Sequence, residues 1–186
     1  MQFTKKTQLS SECRFRFVRT RHPATKPLWS HGLFNIISGD IVKPFLLERA
    51  GDELFEHGVW LFTVKGRARI QTARRTVTLE PGTLCTMPGN IPRRITLRTA
   101  TWSRISMISR MDAATTLHRP EELTVMPFPD VYRLNEAVEG LLGEQGLPEG
   151  DTEATELYAR LILLYLKRAS RFLGDSEENV LMRQFY

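Results

Sequence analysis

From Leu28 to Arg110 the chain is a succession of short runs rich in β-branched and aromatic residues, each closed by a glycine-centred break. The runs are "GLFNIIS", "KPFLLER", "VWLFTVKG", "RARIQTA", "RTVTLEPG", "TLCTMPG" and "RRITLRT", and the breaks are "GD", "AGDE", "KG", "PG" and "PGN". Strands this short and this evenly spaced predict an antiparallel sandwich or barrel. Gly66, Gly82 and Gly89 fall where turns between strands need positive φ or close backbone approach.

The flanks read differently. "RFRFV" alternates Phe15 and Phe17 with Arg14 and Arg16, as a strand does, and "RTRHPATKP" reads as an arm or loop. After residue 119 the apolar period changes from two to three or four. Val131, Leu134, Val138, Leu141 and Leu142 form one helical stripe beginning near Asp130. A second helix is expected from about Thr152, capped by Asp151 or Thr152, to Leu173, with Gly174 as its stop. Its stripe is Leu157, Leu161, Leu164, Tyr165, Ala169 and Phe172, and Ile162, Leu163 and Leu166 lie off it. The expected divisions are an arm over 1–27, a barrel over 28–119, a helical dimerisation segment over 120–174, and over 175–186 the start of a truncated linker helix.

Charge divides along the same line. Residues 1–119 carry 20 Lys/Arg and 8 Asp/Glu, a net +12, whereas residues 120–186 carry 6 and 13, a net −7. Such asymmetry points to a basic half that faces an anion, either a ligand inside it or DNA beside it. The "RARIQTARR" charges fit a solvated hairpin, with contact to DNA phosphates as the alternative. No apolar run is long enough for a membrane helix, and the N-terminus has no signal-peptide apolar core. Cys13 and Cys85 are the only cysteines, so no disulfide framework is expected, and a reduced cytoplasm suits the chain. Cys85, mid-strand in "TLCTM", reads as buried filling.

The stretch "TLEPGTLCTMPGNIPRRI" (78–95) holds two Pro-Gly corners, Pro81-Gly82 and Pro88-Gly89, followed by Pro92, Arg93 and Arg94. Its phrasing resembles the second motif of a cupin barrel and, over nearly the whole chain, the sensor domains of AraC-type transcriptional regulators, in which a barrel precedes a pair of helices. The resemblance implies a cupin-like antiparallel barrel of jelly-roll type followed by two α-helices. Against the metal-binding form of that motif, Arg93 stands where the family often has histidine, Val59 falls on the carboxylate position, and Asp52 to Phe55 fall on the histidine positions. Glu53, Glu56 and His57 lie nearby but do not make an imidazole-rich set. No metal or cofactor is therefore expected.

The resemblance implies an effector-sensing, dimerising domain and not an enzyme. Promoter DNA would then be bound only through a C-terminal domain outside these residues. A metal-dependent cupin isomerase or oxygenase and a structural or storage barrel are the competing readings. Trp60, Phe62, Met87 and Trp102 are candidate walls of an apolar effector pocket, or core filling, and Arg93 is the candidate anion anchor. Because the second helix is apolar on two sides, a two-fold partner is expected to cover one of them, through Leu157, Leu161, Ile162, Leu163, Tyr165 and Leu166.

Overall fold

The computed structural model describes residues 5–50, 57–111, 117–147 and 150–184, the last ten of these as helix backbone alone. Nine strands, all paired antiparallel, run β1 (Lys6–Gln8), β2 (Arg14–Phe17), β3 (Leu33–Val42), β4 (Leu46–Arg49), β5 (His57–Gln71), β6 (Thr76–Leu79), β7 (Thr83–Pro88), β8 (Arg93–Arg110) and β9 (Thr124–Pro127). A short helix α1 (Lys26–Trp29) precedes β3, and α2 (Val131–Gly146) and α3 (Thr152–Gln184) follow the sheet. The fold is mainly β, an antiparallel barrel followed by two long helices, as the strand rhythm and the change of period predict.

Two long strands organise it. "VWLFTVKG" and "RARIQTA", expected as separate strands, are one bent strand, β5, and "RRITLRT" is the first part of the 18-residue β8. They pair from His57↔Arg110 to Gln71↔Arg94, with register shifts between Thr63 and Ala68. Gly66 takes φ +73° inside β5, so its positive φ bends the strand where a turn was expected. At one end β8 and β5 are flanked by β4 and β6, and at the other by β3 and β7. The corner at Pro81-Gly82 is a true strand-to-strand turn, with Gly82 at φ +79°.

The bend brings the two ends of the sheet together over an inner cluster of Ile41, Val59, Leu61, Ala68, Ile70, Leu79, Cys85, Met87, Ile95, Leu97, Trp102 and Leu123. The opposite face of the β3–β8–β5–β7 region carries Leu33, Ile36, Trp60, Phe62, Leu84, Ile105 and Met107, and the helices pack there. Strand alternation therefore makes both sides of this region apolar, the reverse side being covered by helices.

Three expectations about the ends are corrected. Of the arm expected over 1–27, the described residues from 5 onward are held against the sheet. β1 pairs with β4, β2 pairs with β3, and Ala24, Thr25 and Leu28 are buried. The breaker-rich segment folds because the Thr25 hydroxyl donates within hydrogen-bond range of the Thr20 and His22 carbonyls, and His22 Nδ1 accepts from the Ala24 amide. The second helix does not stop at Gly174: α3 continues through it to Gln184, since one glycine costs a helix only about 1 kcal/mol. Its start is as expected, with Asp151 Oδ1 accepting from the Glu153 and Ala154 amides at 2.7 and 3.2 Å.

The third concerns which way α3 faces. Ala159, Ile162, Leu163, Tyr165, Leu166, Ala169 and Leu173 are buried inside the chain, packed with Val131, Leu134, Ala137, Val138 and Leu141 of α2. Leu157, Leu164 and Phe172 are exposed and Leu161 is half-buried. Ile162, Leu163, Tyr165 and Leu166, expected to meet a partner, are thus part of the core. Two adjacent apolar stripes compete on this helix, and the one containing Ala159, Ile162, Leu166 and Ala169 is the one turned into the core.

Candidate functional site

β2 and β3 run side by side, with Arg14 opposite Asp40 and Arg16 opposite Ser38. One turn of α2 crosses above them and contributes Asn135 and Glu139. The Glu139 carboxylate accepts a charged hydrogen bond from Arg16 Nη2 on one oxygen and the Ser38 hydroxyl, at 2.8 Å, on the other. This three-residue lock ties α2 to the sheet. Beside it, Ser103 of β8 donates to Asp40 Oδ1 at 2.6 Å.

These residues line a cleft of about 580 Å³ that also takes in Val64 and Lys65 of β5. A second hollow of about 560 Å³ shares Arg14, Asp40, Lys65 and Ser103 with it and extends toward Ser11 and Thr101. Both volumes fall in the range of small-molecule sites. Asp40 and Glu139 already have hydrogen-bond donors, whereas Arg14 and Lys65 have no ion-pair partner among the described residues. Four cations, Arg14, Arg16, Lys65 and Arg104, stand against two carboxylates, Asp40 and Glu139, around the cleft, so it is net positive and suited to an anion.

The residues expected to line one pocket lie on two faces of the sheet. Trp60 and Phe62 are on the helix side, Trp60 donating through Nε1 to Ser109 Oγ at 3.1 Å and Phe62 packing 5.8 Å from the Phe128 ring. Met87 and Trp102 are inside the barrel, fully packed in its cluster, with Trp102 Nε1 3.3 Å from the Thr63 hydroxyl. All four are core residues. Odd and even positions of β5 face opposite ways, and the interior takes the odd ones, Val59 and Leu61.

Arg93 also points inward and is 8% exposed. Its Nη1 donates to the Gly89 and Ile91 carbonyls, at 2.9 Å each, and so clamps the second Pro-Gly corner. Burial lowers its pKa to about 10, Arg49 pushing the same way and Cys85 opposing, so it remains a cation at neutral pH. Arg104 of β8 also lines the cleft and lies 5.5 Å from the Trp102 ring centroid, and desolvation lowers its pKa to about 10. Arg93 Nε and Arg104 Nη1 have no acceptor among the described residues.

Val59 is in the barrel core, and the other expected cupin positions, Asp52 to Phe55 with Glu53 and Glu56, lie outside the described residues. Among the described residues no three of His, Cys, Asp and Glu come together as a metal site would require. Burial raises the Cys85 thiol to about 12 despite the nearby Arg93, whereas Cys13 is half-buried, its Sγ 3.3 Å from the Val42 amide nitrogen. At pH 8 the native protein is therefore expected to show one thiol reactive toward a disulfide reagent, and unfolding is expected to expose the second.

Sequence reasoning saw Arg14 and Arg16 on one strand face but missed Ser38, Asp40, Lys65, Ser103, Asn135 and Glu139. Those six come from four elements distant in sequence, and no local motif joins them.

No protein-family model and no curated protein sequence matches the chain. Solved structures of similar shape include the AraC-like transcriptional activator CuxR, at 13% identity and TM-score 0.48, over 87% of this chain and 59% of that one. The Cupin_2 domain of an XRE family transcriptional regulator from Enterobacter cloacae matches at 12% identity and TM-score 0.41, over 54% and 97%. Oxalate decarboxylase from Lactobacillus farciminis matches at 21% identity and TM-score 0.40, over 58% and 31%. The chain spans about half the length of other structures it matches. Cupin-domain proteins, regulators and an enzyme among them, are what it resembles in shape. No helix among the described residues is long and apolar enough to cross a membrane.

Proposed function

We propose that this chain is the effector-sensing and dimerising part of a transcriptional regulator, binding a small anionic molecule in the cleft between β2, β3 and α2. Promoter DNA is read, on this proposal, by a domain outside these residues. The observation that carries the reading is the Arg16–Glu139–Ser38 lock, which sits beside the unpaired Arg14 and Lys65 at the seam of barrel and helices. An anion drawn there by Arg14 and Lys65 competes with Glu139 for Arg16 and alters how tightly α2 is held to the sheet. α2 packs on α3, so the change reaches the row of exposed Leu157 and Leu164 with half-buried Leu161 between them. The dense packing of Met87 and Trp102 in the barrel centre supports the core-filling alternative for the aromatic residues and favours the seam as the effector site on this proposal.

The same row supports the homodimer. Asp151 and Glu153 stand at the start of α3, and Lys167 and Arg171 lie further along it. Two copies crossing antiparallel about a two-fold axis would set the acidic end of each against the basic end of the other and cover the leucines.

A thermal-shift screen of organic acids and phosphorylated sugars tests the effector reading. A ligand present at about a hundred times its Kd adds about 2.7 kcal/mol and is expected to raise Tm by about 5–10 °C. Arg14→Ala with Lys65→Ala is expected to remove that rise. If no anion stabilises the native protein, or the double variant responds as the native one does, the reading fails.

A further inference from the structure

The other end of the sheet offers a second surface. Ala68, Ile70, Ile95, Leu97 and Leu79 face the barrel interior there, so alternation turns Arg67 and Arg69 of β5, and Arg94 and Arg98 of β8, to the outside. Arg67 and Arg98 are exposed, Arg69 and Arg94 half-buried. The helices do not cover this face, since they pack on the reverse of the β3–β8–β5–β7 region. At its edge the β5–β6 hairpin carries Arg74 and Arg75, both exposed, in a turn held by the Thr72 hydroxyl.

Two of these six arginines have carboxylates. Arg94 Nε is 2.8 Å from Glu48, and Arg67 Nε is 3.8 Å from Glu80. Arg69, Arg74, Arg75 and Arg98 have none among the described residues. Arg69 Nε is moreover buried with no acceptor, so lifting that side chain toward an anion would remove an unpaired donor. Between the arginines stand Thr78 and Thr96, paired with Arg69 across the neighbouring strands.

We infer that this arginine face binds the phosphate backbone of double-stranded DNA. All six cations are arginine, whose planar fork suits phosphate, and the threonine hydroxyls are donors of the kind that meet phosphate oxygens. The acidic helical half of a second copy is the alternative occupant, but its carboxylates are partly engaged already. Asp130 binds Arg133 and Arg168, Glu139 binds Arg16, and Glu156 binds Arg160. An extended external anion is the better match. The inference does not depend on the effector reading, because it uses none of the cleft residues.

The test is fluorescence anisotropy of a labelled mixed-sequence duplex titrated with residues 1–186, between about 50 and 200 mM salt. Four uncompensated arginines predict a slope of log K against log salt of about −3.6. Arg69→Gln with Arg98→Gln is expected to weaken binding about ten-fold at the low-salt end and to reduce the slope by about 2. Arg74→Gln with Arg75→Gln, at an exposed turn where folding is not at stake, is expected to do the same. Arg133→Gln on α2 is expected to bind as the native chain does. Absence of binding at low salt, or unchanged affinity in both double variants, overturns the inference. So does tighter binding to phosphatidylserine vesicles than to the duplex, which makes the face a lipid contact. Loss of self-association in the double variants also overturns it and assigns the face to a second copy.

Discussion

Leu166→Glu is expected to collapse the helical half of the protein, whereas Leu164→Glu, two positions away, is expected to leave the fold intact and separate two copies. Leu166 of α3 is fully buried in the cluster shared with α2 and the sheet, so a carboxylate there must be taken out of water with no partner. The cost is about 4–5 kcal/mol, enough to lower Tm by roughly 10–20 °C in a chain of this size. Leu164 is 45% exposed, and a charge there should change fold stability by no more than about 0.5 kcal/mol. Thermal denaturation separates the two outcomes, and sedimentation reads the dimer. A Leu166→Glu protein melting like the native one would mean that α3 docks by another face. A Leu164→Glu protein that still dimerises would remove α3 as the interface.

The second large effect is expected at Gly66. A methyl group there would lie 2.1 Å from the Thr101 carbonyl oxygen on β8, and φ of +73° is itself unfavourable for any residue with a Cβ. Neither β5 nor β8 can yield without breaking the bend that closes the barrel. Gly66→Ala is expected to cost about 3 kcal/mol or more in denaturant unfolding. Gly82 has a similar φ, +79°, but nothing within 4 Å of an added Cβ, so Gly82→Ala should cost only about 1 kcal/mol. Equal costs at the two glycines would contradict the role given to the bend.

Gly66 also shows where reading from sequence stops. Its position among apolar runs marks a special backbone conformation, which it has. Whether positive φ makes a turn or a bend depends on what β8 does a strand away, and that lies outside any local window. The α3 stripe is the same kind of case. "LYARLILLYL" shows that two faces are apolar, but which one turns inward depends on the surfaces that the rest of the fold presents to it. The architecture was legible because period two and period three-to-four are local properties of the chain. The expected pocket was not, because Trp60 and Met87, each apolar and in a strand, face opposite sides of one sheet. Arg93, expected as an anion anchor, bonds to the Gly89 and Ile91 carbonyls, which gives it a structural part in holding the corner. Arg14, Arg16, Lys65 and Glu139 read as ordinary surface charge until the fold brings them to one seam.

At that seam, hydrogen–deuterium exchange with a stabilising anion from the thermal screen is expected to change in β2, β3 and the middle of α2 together. A smaller change is expected along α3, and none around Cys85 and Arg93 in the barrel. Protection confined to β7 and the inner end of β8, with α2 unaffected, would contradict the seam as the effector site and return the effector to the barrel interior.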